Sequence, residues 1–409
     1  MSEESSSEKE SWCEVPTERC VIGTFGAASF ANDMGSDIVF SIWPTFVILL
    51  GGNALLIGLL DGLGDFIVNL SKGFSGFLSD KLQRRKPFIW SGYLAASMSR
   101  VLYGVAPSWH WLVPARVLDR AGKIRGSPRD ALIADISSNE TRGRNFGILR
   151  TLDNTGALFG ILITIAFVTF AFPLLESQGF TLLSSLQLLF IAAAIPTVIG
   201  ALLIIIKIPD YRKEIGKHVF RIGGINRQLA LFITLSFIFA LAFFSYSFVT
   251  LYASFFLEVP LINPYLKVTI AYLIFTMTAA LLSAPLGKLS DRIGRRVTLL
   301  LGYGTFAIMC LIFIIIPNAL TMLAAMIFYG ASIGAIVPTQ RSLVAELAPV
   351  DLRASLLGLY QMLIGVAALA ANILAGLIWV LYLPATSFML SLFLTLIAAL
   401  LLPLVKEST

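Results

Sequence analysis

Charge is what this sequence has least of. Only 13% of its 409 residues are Asp, Glu, Lys or Arg, against about 25% in a soluble domain. That is too little polar surface to coat a water-facing globule, and 57% of the chain is hydrophobic. Cysteine and histidine are scarce as well. Three cysteines make no disulfide framework, and Cys13 and Cys20 have neither histidine near them in sequence, so no metal site is expected. There is no Gly-Lys-Ser/Thr phosphate-binding loop, which excludes ATP drive by this chain. No zinc-protease or serine-hydrolase motif occurs, and His110 and His218 lie at or near loops. The chain is therefore expected to be no enzyme and to need no cofactor. The net charge of +6 does not mark a nucleic-acid binder, because the basic residues sit in short gaps between apolar stretches.

Those stretches are what the sequence has in abundance. Runs of about 20 apolar residues recur along its length, each long enough to cross a hydrocarbon core of about 30 Å as a helix. Lipid offers the backbone no hydrogen bonds, so only helices or closed barrels can span it. Barrels alternate apolar and polar residues, and the run from Leu299 to Ile316 does not. About twelve helical spans are expected, near 21–50, 54–79, 87–106, 109–138, 143–170, 181–206, 228–257, 267–287, 297–316, 319–346, 354–381 and 384–404. The tail 1–20 is rich in Ser and Glu and reads as disordered. It lacks the basic region of a cleaved signal peptide, so the first span is expected to stay.

The connecting loops alternate in charge. One set carries Lys81, Arg84, Arg85, Lys86, Arg142, Arg144, the cluster Lys207 to Arg227, Lys288, Arg292, Arg295, Arg296 and Arg353. Of basic residues the other set holds only Lys267. That asymmetry puts the first set, and both termini, in the cytoplasm of a multi-pass protein of the plasma or inner membrane. The longest loop, 207–227, divides the chain into halves of six spans, 21–206 and 228–404, with a short tail at 405–409. The halves repeat each other. Gly76, Leu78, Ser79, Asp80, Arg84 and Arg85 recur 211 residues later as Gly287, Leu289, Ser290, Asp291, Arg295 and Arg296. At the same offset Asp135 meets Glu346, and Arg142 meets Arg353. Two parallel six-helix halves around a central site are the architecture of one large transporter class, for which a monomer suffices.

The segment Gly76-Phe-Leu-Ser-Asp-Lys-Leu-Gln-Arg-Arg-Lys86 resembles the loop 2–3 signature of the major facilitator superfamily, and Gly287-Lys-Leu-Ser-Asp-Arg-Ile-Gly-Arg-Arg296 matches it better. Gln83 stands where that family usually has Gly. The stretch Asp119 to Asp135 is similar to a microbial branch whose members often lack a defined substrate, though it is one residue short after Lys123. The resemblance covers all twelve spans and is poorly specific for substrate. It implies alternating access by rocking of the halves. It also implies a gate built from Asp80, Arg84, Arg85, Asp291, Arg295 and Arg296, together with Asp135, Arg142, Glu346 and Arg353. A carboxylate there can meet both a helix N-terminus and an Arg in one access state only. Span 5 has Gly156-Ala-Leu-Phe-Gly160 but lacks the Gly-Pro pattern of many drug/proton antiporters, which weakens a multidrug assignment.

The N-terminal half holds eight acids and eight bases at span positions, including Asp33, Asp37, Asp61, Asp65, Lys72, Arg100 and Arg150. Charges at membrane depth cost several kcal/mol unless paired or in a wet cavity, so none should face lipid. The segment Arg116 to Asp130 reads as a loop by hydropathy alone, but the repeat aligns it with the apolar stretch from Ile327. As a helix it gathers Arg116, Asp119, Arg120, Lys123, Ser127 and Asp130 within about 100° of arc. Arg125 and Arg129 point the other way. Asp33 and Asp37 lie one turn apart on span 1, which in this superfamily also faces the central cavity. Three readings stay open: a structural ion-pair network, a proton relay, and a site where an anion displaces Asp from Arg. Asp61 and Asp65 with Lys72, and Arg150 with Asp153, read as structural pairs.

The expected function is proton-linked export or exchange of a small organic or anionic solute, with Asp33, Asp37, Arg116, Arg120, Lys123 and Asp130 as substrate or proton site. The alternative is a metal or amine cation held by Asp33 and Asp37, although two carboxylates are few ligands for a hard metal. A non-transporting receptor on the same fold would need a large partner domain, and the tails are short. The charge asymmetry makes a direct prediction. A cysteine replacing Ser108 should react with a membrane-impermeant maleimide added outside intact cells, and one replacing Ser138 should not. The reverse pattern would invert the topology.

Overall fold

The computed structural model describes residues 17–82, 84–138, 140–209, 225–257, 263–349 and 352–406, the side chains of 72–81, 264 and 354 excepted. The expected disordered tail falls almost wholly outside this range, as does most of the 207–227 linker. Among the described residues the chain is helical throughout, and nine stretches are long and apolar enough to cross a membrane. The remaining three, spans 1, 3 and 4, are helical but less apolar.

Span 1 begins at Glu18, earlier than expected, because the Thr17 hydroxyl accepts from the Cys20 N–H and caps the helix. It runs as Glu18–Phe40 and, after a break with Pro44 at the new first turn, Trp43–Leu49. Spans 2 and 3 are Ala54–Lys81 and Lys86–Gly104. Span 4 is Leu112–Ala121, a 3₁₀ stretch Gly122–Arg125, then Gly126–Ile136. Span 5 is Arg142–Ala166 continued through a π-helical turn to Ser177, and span 6 is Leu182–Lys207. In the second half span 7 is Arg227–Ala242 and Tyr246–Phe256, span 8 Lys267–Ile293 and span 9 Arg295–Ile315. Spans 10, 11 and 12 are Ala319–Leu347, Arg353–Leu381 and Pro384–Leu401. Gly294, at φ +93°, turns span 8 into span 9 with no loop between them. Its repeat partner Gln83 lies outside the described residues. Cys310 is free and buried, whereas Cys20 is disulfide-bonded, a bridge that the cysteine count did not anticipate.

Large apolar side chains cover the outside. Ile206 and Leu400 are 76% and 77% exposed, as a lipid-facing surface requires. With no hydrophobic drive between helices in lipid, close backbone packing at small residues takes its place. A Cβ on Gly160 would lie 2.2 Å from the Met34 carbonyl oxygen, and one on Gly156 2.4 Å from that of Phe30. Spans 1 and 5 therefore touch through bare backbone. Between the halves, Gly58 and Gly62 of span 2 meet Asn372 and Leu369 of span 11, while Gly365 meets Asn69 and Gly376 meets Ala54. Gly92 and Gly122 abut each other's carbonyls where span 3 crosses span 4, at the 3₁₀ stretch.

On span 5, Gly160→Val should lower the thermal unfolding midpoint by an amount equivalent to about 1–3 kcal/mol of overpacking. Gly147→Ala on the same helix meets open space and should leave the midpoint unchanged. Equal midpoints for both variants would contradict the span 1–span 5 contact.

Candidate functional site

The segment Arg116 to Asp130, ambiguous in sequence, is helix packed on spans 2 and 3. Arg116 is 1% exposed, and its Nη2 donates to Asp61 Oδ1 at 2.5 Å. The Trp43 indole donates to the same oxygen at 2.9 Å. The other carboxylate oxygen, Oδ2, accepts from the Ser245 hydroxyl at 2.6 Å and from the Ser247 hydroxyl. Asp61 thus ties spans 1, 2 and 4 of one half to span 7 of the other. Span 7 can supply two hydroxyls there because its helix breaks at Phe243–Ser245. Ser245 caps the new helix, and its own N–H donates to Asn372 Oδ1 at 2.6 Å.

A second bridge lies beside it. Tyr272 of span 8 donates to Asp37 Oδ1 at 2.6 Å, and Tyr246 donates to the Phe40 carbonyl at 3.3 Å. These bonds between halves all lie toward the far end, opposite the basic loops. Arg116 Nε and Nη1 have no hydrogen-bond partner, and the guanidinium sits over the rings of Trp43 and Phe40 at 4.5 and 5.2 Å. Arg120 also lies over Phe40, at 4.5 Å, with Asp119 3.6 Å away. Such stacking contributes about 0.5–2 kcal/mol. Lys123 forms no hydrogen bond or ion pair among the described residues and stands within electrostatic range of Asp33 and Asp37. Asp33 accepts from Asn32 Nδ2 at 2.8 Å.

Asp130 does not join this group. It is 49% exposed on its side chain and pairs with Arg129 Nε at 3.0 Å. A 3₁₀ turn advances about 120° per residue against 100° in an α-helix, so the stretch Gly122–Arg125 rotates everything after it out of the expected sector. Arg129, expected to point away, reaches Ser29 at 2.7 Å and Asp153 at 3.8 Å. Asp153 therefore faces Arg129 and not the expected Arg150, which is exposed. Arg125 lies over Tyr93 at 4.7 Å and donates to the Gly122 carbonyl.

Two groups outside the expected site prove central. Asp61 read as a structural pair, and its flanking Gly58 and Gly62 were the signal that it meets another helix closely. Arg100 is 1% exposed on span 3 and bonds only neutral oxygens: Ser36 at 2.7 Å, the Asn32 carbonyl at 3.0 Å, and Thr197. It locks spans 1, 3 and 6 together. A lone Arg among Ser97 and Ser99 in an otherwise apolar span was its signal.

At the basic end, pairs among the described residues join groups of the same half. Arg85, not its exposed neighbour Arg84, pairs with Asp135, and Arg142 donates to the Ala134 carbonyl at 3.2 Å. In the second half Arg295 meets Glu346 at 3.0 Å and Asp291 at 3.2 Å, while Arg296 donates to the carbonyls of Pro403 and Val405. Arg353 is exposed, and the surroundings of Gly76 and the side chain of Asp80 lie outside what is described. Between spans 2, 7, 10 and 11 lies a cavity of about 310 Å³, lined by Asp65, Asn69, Phe239, Phe243, Gln340 and Arg341 among others.

Two helical halves joined by bonds at one end and enclosing a cavity are the frame of a carrier. Residues 25–274 and 239–408 match the family described as Major Facilitator Superfamily. The chain belongs to that superfamily. It is 34% identical over 381 residues to an uncharacterised transporter of the same type from Methanocaldococcus jannaschii, with 92% of each chain covered. A multidrug resistance protein MdtH from Baumannia cicadellinicola is 32% identical over 164 residues, 40% of this chain and 38% of that one. Among solved structures, the nucleoside transporter NupG superposes with a TM-score of 0.71 at 13% identity, over 95% of this chain and all 100% of that one. A bacterial homologue of the human lysosomal transporter Spinster, inward-facing and unoccupied, gives 0.70 at 14% identity, over 96% and 98%. The molecule is a multi-pass membrane transporter and not an enzyme.

Removing Asp61 would leave Arg116 buried and unpaired. Asp61→Ala should therefore cost about 3–5 kcal/mol, seen as a lower unfolding midpoint, and adding Arg116→Met should restore part of it. A single variant with the native midpoint would show that the cluster is not a buried pair.

Proposed function

We propose that this transporter works by alternating access, is proton-linked, and exports or exchanges a small organic or anionic solute. The observation that carries the reading is the placement of Asp37. Its carboxylate accepts a hydroxyl from the opposite half at 2.6 Å and has no ion-pair partner among the described residues. Hydrogen bonds to a charged group are worth about 1.5–3 kcal/mol. Neutralising Asp37 by a proton leaves a bond between neutral groups, weaker by about 1–1.5 kcal/mol, and shifts the balance of the two access states roughly five- to tenfold. Asp61, paired with Arg116 and bonded to two hydroxyls of the opposite half, serves as a standing latch.

With the basic loops in the cytoplasm, bonds between halves at the far end describe an inward-facing state. Rocking then breaks the Asp61 and Asp37 bridges and brings the basic-end groups Arg85, Asp135, Arg295 and Glu346 toward the other half. Arg120 and Lys123, lightly compensated beside the span 1 acids, favour an anion over a cation at this level. A cation held by Asp33 and Asp37 is the weaker reading because Lys123 already repels one there. Among the described residues no group of three or more His, Cys, Asp or Glu could hold a metal.

The test needs no known solute. Spin labels on cysteines replacing Gly51 and Leu320, both exposed toward the far end, should report a distance distribution that changes on acidification in proteoliposomes. Asp37→Asn should fix the distribution seen at low pH. A pH response equal to wild type in Asp37→Asn would remove Asp37 as the proton site.

A further inference from the structure

The cavity between spans 2, 7, 10 and 11 is not where the charges of spans 1 and 4 meet. Its walls are mostly apolar, with Phe239, Phe243, Ile336, Val337 and Ile364. Its volume of about 310 Å³ is at the small end of ligand sites. Two polar features break this surface. Arg341 lines the cavity, exposed to it, and forms no hydrogen bond or ion pair among the described residues. Gln361 Oε1 is buried without a hydrogen-bond partner. Neighbouring Gln340 is occupied: it donates to Tyr303 at 3.2 Å and accepts from Tyr360 at 2.9 Å. Asp65, on the opposite wall, is itself engaged by another residue.

An uncompensated guanidinium at membrane depth is costly, and such groups mark solute paths. A second one lies beyond the lining, in the other half. Arg150 of span 5 is exposed, also lacks a hydrogen bond or ion pair among the described residues, and lies within electrostatic range of Arg341. The two like charges repel each other. An anion between them turns that repulsion into a bridge, since guanidinium groups bind carboxylate and related oxyanions in paired hydrogen bonds.

We propose that this cavity takes an amphipathic organic anion. Its charged head sits on Arg341, its apolar body lies along Phe239, Phe243 and Ile364, and the bound head draws in Arg150, so that occupancy closes the basic end. This rests on the transporter reading above but not on its proton site.

Calorimetry on the purified full chain in detergent tests it with three probes of one shape: naphthoate, naphthylmethanol and naphthylmethylamine. Naphthoate is expected to bind at least about tenfold more tightly than the other two, a margin of about 1.4 kcal/mol. Arg341→Ala should erase that margin at an unchanged unfolding midpoint, because Arg341 has no partner to lose, and Arg341→Lys should keep part of it. Spin labels at Ser138 and Arg292, both exposed at the basic end, should approach on adding naphthoate in wild type but not in Arg150→Ala. Equal binding of the three probes, preference for the amine, no binding of naphthoate, or naphthoate binding indifferent to Arg341 would each overturn the site. Binding without approach of the labels would overturn the bridge. Any of these, with the pH response of Asp37 intact, would leave the proton-linked reading standing. The loss of that response with naphthoate still bound would do the opposite.

Discussion

A carboxylate buried in a membrane protein has to be compensated, and Asp61 is 2% exposed. Four donors satisfy it: Trp43, Arg116, Ser245 and Ser247. Much else in the molecule is arranged so that these four can arrive. Span 1 breaks before Trp43, and span 7 breaks before Ser245. Spans 2 and 11 approach through Gly58 and Gly62, closely enough for Asn372 to receive the freed Ser245 N–H. Because two donors come from each half, the same satisfaction that removes the burial cost also joins the halves at one end.

The two halves solve their packing differently despite the repeat. The first is held by charge and backbone contact, with Arg100 bonded across spans 1, 3 and 6 and Gly156 and Gly160 against span 1. The second is held by rings. Phe239 stacks on Tyr303 at 4.2 Å, and Phe243, Phe306 and Tyr329 continue the cluster through spans 7, 9 and 10. Four polar groups of the second half, Ser245, Ser247, Tyr272 and Arg341, point at the first half or into the cavity.

The helical architecture and the two halves were legible because hydropathy and loop charge act over whole segments and survive local irregularity. The repeat also identified Arg116 to Asp130 as a span when hydropathy alone did not. What escaped is geometric. Asp130 was misplaced because four residues of 3₁₀ helix change the phase of the sector, and Gly122, Gly126 and Pro128 mark an irregular span there without fixing how far it turns. Arg84 and Arg85 were both legible as gate residues, but not that Arg85 is the one that reaches Asp135, since loop conformation decides between adjacent arginines. That Asp61 meets Ser245 and Ser247 of span 7 was not legible. Which oxygen meets which hydroxyl depends on the break at Phe243–Ser245, and no Gly or Pro marks that break.

That break decides what kind of joint the halves share. The piece Tyr246–Phe256 is joined to the rest of span 7 through three non-helical residues and carries Tyr246 and Ser247 on its first turn. It is firmly part of its own half, with Phe248 packed on Trp379 and Tyr252 on Trp379 and Phe388. What it offers the other half is a row of hydroxyls. A joint of side-chain hydroxyls can be exchanged for water one bond at a time, so the halves can part there without unmaking a turn of helix.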